Sequence, residues 1–310
     1  MGVAPRGGIV KSDPGVRASG TIRVRDRFGL AAAATVVMAS FAGNSVITRF
    51  VVAGGTASPY ALTAIRFGSG FVMLALLRAL FPDAFRPATR GLDVLGALFL
   101  GAYALSISYG YRFISAAAGT LVFYAFVVTT MATYSRVRDR ERLTSRALVG
   151  QALALAGVAG ITFGGIRDVT PLGVALMAAT GTSWGLYSVQ GRRGGDPPGY
   201  TYGTFLLVGV TLSALAPLVH ASSLEPLRID ASLEGLGLAL FMGMITTALS
   251  YVLWQRVLAR IRASQGGVAQ LTVPVIASAM GIVLLGESLT PALVAGGAAV
   301  LLGIHLNRAQ

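Results

Sequence analysis

The chain has 310 residues, of which 54% are hydrophobic and only 12% charged, with a net charge of +13 and no cysteine. An ordinary soluble domain carries about 25% charged residues, so a mean hydropathy of +0.71 excludes a pair of soluble domains and reads as an integral membrane protein. The basic excess stands in short arginine clusters between long uncharged runs, which excludes a nucleic-acid surface; without cysteine there is no disulfide, thiolate metal site or cysteine nucleophile.

Residues 1–27 hold Gly, Pro, Ser and Arg without periodicity and read as a disordered cytoplasmic tail. A membrane span needs ~20 mostly apolar residues. Runs free of Asp, Glu, Lys and Arg predict spans over 28–48, 94–111, 113–135, 147–166, 169–191, 197–224, 235–255, 263–286 and 288–307. A tenth, about 59–81, is interrupted by Arg66 and reaches Arg78. The first span starts behind a basic tail and is too long for a signal-peptide core. The expected fold is thus an all-α integral membrane protein of ten transmembrane helices.

Loop charge sets the orientation. The tail, the loops near 82–93, 136–146, 192–196 and 256–262, and Arg308 collect twenty of the 25 Lys and Arg residues. The opposite side holds Arg112, Arg167 and Arg228, and Arg49 and Arg66 lie within or near span ends. The expectation is a multi-pass protein of a bacterial-type inner (plasma) membrane with both termini cytoplasmic.

The two halves are similar. Phe99, Gly101, Ser108 and Tyr109 match Phe241, Gly243, Ser250 and Tyr251, all 142 apart. Ile114–Gly119 matches Ile261–Gly266; Glu141, Leu143 and Thr144 match Glu287, Leu289 and Thr290; Gly150 and Gly157 match Gly296 and Gly303. A five-helix repeat has an odd number of spans, so the halves insert with opposite topology, a recurring design of secondary transporters. The expected organisation is a tail over 1–27, a first repeat over 28–166 and a second over 167–310.

At the level of motifs the chain resembles the drug/metabolite transporter superfamily, specifically the ten-helix EamA family. The resemblance rests on Pro59–Phe67 opening the second helix, and on the run Ala269–Pro274 followed by Leu285–Thr290 and Gly296, with Arg140–Thr144 as its first-half counterpart. It covers about residues 28–307. It implies a transport role and a central cavity walled by the first, third, fourth, sixth, eighth and ninth helices, with the fifth and tenth at the periphery. Pro274 has no partner near Val127, so the fourth helix is expected to be less kinked than the ninth.

Candidate site residues follow from helical spacing. Thr180, Trp184 and Tyr187 share one helix face, as do Thr247, Tyr251 and Trp254. Tyr103, Tyr109, Phe123 and Tyr124 add rings from the third and fourth helices, and an aromatic cavity stacks on planar or apolar substrates. Tyr60, Tyr111, Tyr200 and Tyr202 lie near span ends and read as an interfacial belt; Tyr134 is of the same kind. Asn44 and Gln270 are mid-helix amides, either helix–helix hydrogen bonds or ligands for a substrate amine or carboxylate. Arg66 lies ~9 Å into its helix at 1.5 Å per residue. It either snorkels outward or clamps a carboxylate. Pro274 and Glu287 are kink and gate elements. The glycine pairs 160/164, 181/185 and 199/203 permit close helix approach without establishing a dimer.

No Asp or Glu lies inside any expected span; Asp93 and Glu287 stand at span ends. Exporters of lipophilic cations use a membrane carboxylate, so proton-coupled efflux of cationic drugs is the alternative and export of small neutral or zwitterionic metabolites, amino acids first, the leading expectation. An enzyme is not expected. The single lysine, Lys11, lies in the tail, and no HExxH, nucleophile elbow or phosphate loop is present. With only His220 and His305 no metal cluster is expected, and no cofactor. The expected partners are a small-molecule substrate and the bilayer, with the chain a monomer or weak homodimer.

Overall fold

The structure, a computed structural model, describes residues 24–82, 94–138, 144–164, 168–193, 196–222, 227–230, 232–261, 266, 269–270 and 272–306. These form ten helices: α1 Val24–Ala53, α2 Pro59–Leu80, α3 Val94–Gly110, α4 Ala116–Arg138, α5 Ser145–Phe163, α6 Pro171–Arg193, α7 Pro197–Ala221, α8 Leu233–Leu258, α9 Thr272–Leu285 and α10 Pro291–Leu306. α1 starts at Val24, four residues inside the segment read as tail. Residues 1–23, Asp93, Glu141 and most of the basic loops lie outside the described residues. α1, α2, α4, α7 and α8 are long and apolar enough to cross a membrane, whereas α3, the apolar part of α5, α9 and α10 are shorter apolar helices.

Local chemistry explains several helix starts. Ser58–Pro59, Thr170–Pro171 and Thr290–Pro291 each place a proline where its missing N–H is no loss behind a hydroxyl that caps the first turn. Ser58 Oγ accepts from Ala61 N (3.4 Å), Thr170 Oγ1 from Gly173 N (3.1 Å) and Thr290 Oγ1 from Leu293 N (3.2 Å). Pro274 falls in the first turn of α9, so it begins that helix rather than bending its middle.

The links α1–α2, α3–α4, α5–α6, α7–α8 and α9–α10 meet at one end of the bundle in two groups. Ser58 N bonds Arg228 O (2.8 Å) and Asp230 N bonds Thr56 O (2.7 Å). Thr170 N bonds Phe113 O (3.1 Å), and the α9–α10 link joins them through Glu287. Consecutive helices therefore run up and down.

Polarity is arranged for lipid. Phe163 and Val283 are 81% and 79% exposed, while Thr63, Thr120, Thr247 and Arg66 are fully buried. A water-soluble bundle has the reverse pattern. Small residues let helices touch backbone to backbone. A Cβ on Gly157 would lie 2.6 Å from Gly296 O, and one on Gly303 2.5 Å from Ala154 N, which holds α5 against α10. Gly181 and Gly185 seat α6 on Phe123, Val127 and Thr130 of α4. That glycine pair is used within the chain.

Candidate functional site

Rings from five helices converge at the centre of the bundle. Phe41 and Ser45 of α1, Tyr103 of α3, Phe123 and Tyr124 of α4, Trp184 of α6 and Tyr251 of α8 line a cavity of about 10 Å³. That is room for about one water molecule, so this conformation is closed around the site. Phe41 is central. Its ring meets Trp184, Tyr251 and Trp254 edge-on at 5.3, 5.8 and 5.9 Å, a preferred geometry for aromatic pairs. Trp184 also packs on Tyr103 (5.0 Å), Tyr251 (4.7 Å) and Tyr187 (5.5 Å).

Arg66 enters this cluster from α2. It is wholly buried and, among the described residues, the only buried charge. Its Nε donates to Thr247 Oγ1 (2.8 Å), and its Nη2 donates to the hydroxyls of Tyr251 (2.9 Å) and Tyr103 (3.2 Å). Its guanidinium carbon lies 5.3 Å from the Phe67 ring centroid and 5.7 Å from that of Tyr103. Nη1 has no hydrogen-bond partner, and no carboxylate pairs with Arg66 among the described residues. A buried cation held only by neutral hydroxyls and rings is costly. This position excludes snorkelling.

α8 is shaped for these contacts. Leu233–Gly237 and Met242–Leu249 are wound as π-helix, a form that marks functional sites. Asn44 Nδ2 donates to Thr246 O (2.8 Å), and Thr246 Oγ1 donates back to Asn44 Oδ1 (2.5 Å). These bonds fix the widened stretch that presents Thr247 and Tyr251. Across the cavity, Trp184 Nε1 donates to Gln270 Oε1 (2.9 Å), and Gln270 Nε2 donates to Gly266 O (3.2 Å).

A second, open pocket of about 400 Å³ lies at the end of the bundle where the odd–even links meet, lined by Arg49, Ser115, Asp168, Glu287, Ser288 and Thr290 among others. Ser45 lines the cavity and Arg49, one turn further along α1, lines this vestibule. Arg49 Nη1 donates to Tyr111 O (2.7 Å), and Arg49 reaches Glu287 and Asp168 at 3.9 Å each. Glu287 accepts from Ala116 N (2.6 Å) and Ala117 N (3.0 Å) at the start of α4. A carboxylate there satisfies two orphan donors and the helix dipole together. Gly286, at φ +65°, makes the turn that aims it.

The model of the EamA-like transporter family matches residues 171–308, which hold α6 to α10. An uncharacterised protein of Pseudomonas aeruginosa is 37% identical over 281 residues, 88% of this chain and 94% of that protein. The chain belongs to the EamA-like transporter family. A Salmonella typhimurium relative named a probable amino-acid metabolite efflux pump is 28% identical over 257 residues, 76% of this chain and 85% of its own length. A solved crystal structure shares the fold with TM-score 0.62 and 20% identity over 89% of this chain and 95% of its own.

In this EamA-like transporter most of the expected site residues converge. Tyr103, Phe123, Tyr124, Trp184 and Tyr251 line the cavity. Tyr187 and Trp254 back it, both fully buried. Thr247 holds Arg66. Asn44 and Gln270 hydrogen-bond Thr246 and Trp184. Tyr109 is half-buried near the end of α3 and not in the lining. Thr180 bonds back to Leu176 O. Of the tyrosines read as an interfacial belt, Tyr60, Tyr111 and Tyr200 are buried, Tyr60 donating to Leu212 O (2.6 Å) and Tyr200 to Tyr187 O (3.0 Å), whereas Tyr134 and Tyr202 are half-buried. Span ends here are packed helix crossings, where the Tyr60 and Tyr200 phenols each find a carbonyl. Sequence reasoning missed Phe41, Ser45 and Arg49. The signal was there, since Phe41, Asn44, Ser45 and Thr48 recur at helical spacing on one face of an apolar span.

Proposed function

We propose that the chain exports small metabolites, amino acids with aromatic or other apolar side chains foremost, across the inner membrane by alternating access. In this reading all ten helices span the bilayer as two inverted five-helix repeats, with both termini cytoplasmic and the vestibule outside. The packing supports the repeat, because partners map onto themselves when the halves are exchanged. α3 on α6 answers α8 on α1, α4 on α6 answers α9 on α1, and α5 pairs with α10.

The observation that carries the reading is Arg66, a buried cation without an acidic partner among the described residues, beside a closed aromatic cavity. An arginine so placed is a site for a carboxylate, and the rings take an apolar side chain. The name of the Salmonella relative agrees. A lipophilic cation would be repelled by the same arginine. Arg49, Tyr111 and Glu287 form an outer latch over the occluded site.

The test is counterflow in proteoliposomes, preloading amino acids, nucleosides, sugars or lipophilic cations with and without a pH gradient. Amino-acid exchange that ignores the gradient, and is lost in Trp184→Ala and Tyr251→Ala, supports the proposal. Unchanged transport and substrate ranking in both variants would sink it, as would cation exchange that collapses without the gradient.

A further inference from the structure

We infer that the central site reads a carboxylate and offers an ammonium no acidic partner, so that aromatic or apolar monocarboxylates without an amine are cargo at least as good as the matching amino acids. The inference rests on the central cavity being the substrate site.

Arg66 stands directly behind the cavity lining, joined to it through the hydroxyls of Tyr103 and Tyr251. Arg66 Nη1 is an unpaired donor. Tyr103 OH accepts from both Arg66 and Tyr251 (3.2 and 2.9 Å) and lines the cavity, so its rotatable proton is available to a bound carboxylate. A phenol beside a guanidinium is a strengthened donor, and a carboxylate accepts from two such groups at once. The lining offers an ammonium only the neutral hydroxyls of Ser45, Tyr103, Tyr124 and Tyr251, and the two wall amides are already engaged. Asn44 Oδ1 accepts from Thr246, with Thr247 at 3.5 Å, and Gln270 Oε1 accepts from Trp184. No Asp or Glu is buried among the described residues. The faces of Phe41, Phe123 and Trp184 offer an ammonium only a cation–π contact, against repulsion from Arg66 at close range.

An anionic cargo also supplies a driving force. The described spans hold no buried acid to couple protons, and a zwitterion crosses without net charge. One negative charge moving outward is driven by an inside-negative potential and gains about fifty-fold in concentration ratio per 100 mV.

The test uses three ligands with one ring and one chain length: 3-phenylpropionate, L-phenylalanine and phenethylamine, titrated calorimetrically into the full chain in detergent. 3-Phenylpropionate is expected to bind at least as tightly as L-phenylalanine, and phenethylamine on the order of a hundredfold more weakly. Tyr103→Phe keeps the ring and the packing. It is expected to weaken both carboxylates on the order of tenfold and leave phenethylamine unchanged; equal loss for all three overturns the inference. L-Phenylalanine binding more than about tenfold tighter than 3-phenylpropionate overturns it and leaves the amino-acid reading standing. Phenethylamine binding tightest, or no binding by any of the three, overturns both. In proteoliposomes, efflux of 3-phenylpropionate is expected to rise with an imposed inside-negative potential, and efflux indifferent to it refutes the anionic cycle.

Discussion

Arg49→Met tests whether the outer latch governs access or merely adds stability. Methionine keeps the apolar stem and deletes the fork, so packing along α1 is retained. The variant loses the charge-assisted bond to Tyr111 O at 2.7 Å and the two longer pairs with Glu287 and Asp168 at 3.9 Å. A hydrogen bond to a charged group contributes about 1.5–3 kcal/mol. Partly exposed ion pairs add at most ~1 kcal/mol each, discounted here because the Asp168 side chain is 63% exposed. A loss of about 2–3 kcal/mol from the outer-closed state raises the outer-open population about 30- to 150-fold. The chain has no cysteine, so Ser45→Cys gives a single thiol at the cavity wall without background. A membrane-impermeant thiol reagent applied from the vestibule side should then label that thiol about 30- to 150-fold faster with Arg49→Met than with the latch intact. Arg49→Lys should fall between, since one ammonium keeps one bond but loses the fork. Labelling that stays unchanged while the melting temperature drops would refute the gating argument.

Three further outcomes are expected. Glu287→Gln retains one amide acceptor for the α4 N-terminus but loses the charge that favours it, costing ~1 kcal/mol in a thermal melt and opening the vestibule less than Arg49→Met. Gly243→Ala forces a Cβ against Arg66 O and Ser69 Oγ. It should cost about 1–3 kcal/mol by the same melt and weaken substrate binding, because α2 and the guanidinium must shift. A double-mutant cycle of Trp184→Phe and Gln270→Leu should show a coupling of about 0.5–3 kcal/mol in stability; additive costs would show that the 2.9 Å bond contributes nothing.

How much of this was legible in the sequence depends on range. Spans and helix starts were readable because uncharged length and Ser/Thr–Pro pairs are local signals. The rings of α3, α4, α6 and α8 were readable because helical spacing puts them on one face. Arg66 was found as an anomaly, but its choice between lipid surface and core needed the partners, which come from Thr247 and Tyr251, more than 180 positions away. The latch was hidden for the same reason: Arg49 looks like an ordinary span-end arginine until Tyr111 and Glu287 are beside it. The tyrosines read as a belt show the limit of position along a span as evidence, because helix crossings bury span ends as readily as centres.

The matched positions of the two halves also part company at the site. Tyr251 holds Arg66 at the centre of the bundle, whereas Tyr109, its counterpart 142 positions earlier, is half-buried outside the cavity. The first half instead supplies Tyr103, six residues earlier along α3, which meets the same Arg66 Nη2 as Tyr251 does. A repeat related by a two-fold axis would otherwise place two like groups around the axis, and two arginines there would repel each other in a low-dielectric site. A single cation held by two tyrosines that do not correspond in the repeat avoids that cost. On the proposed function, such a site would orient its cargo with the carboxylate toward Arg66. On the proposed repeat, the scaffold provides alternation between two faces, and the broken symmetry of these few side chains provides recognition.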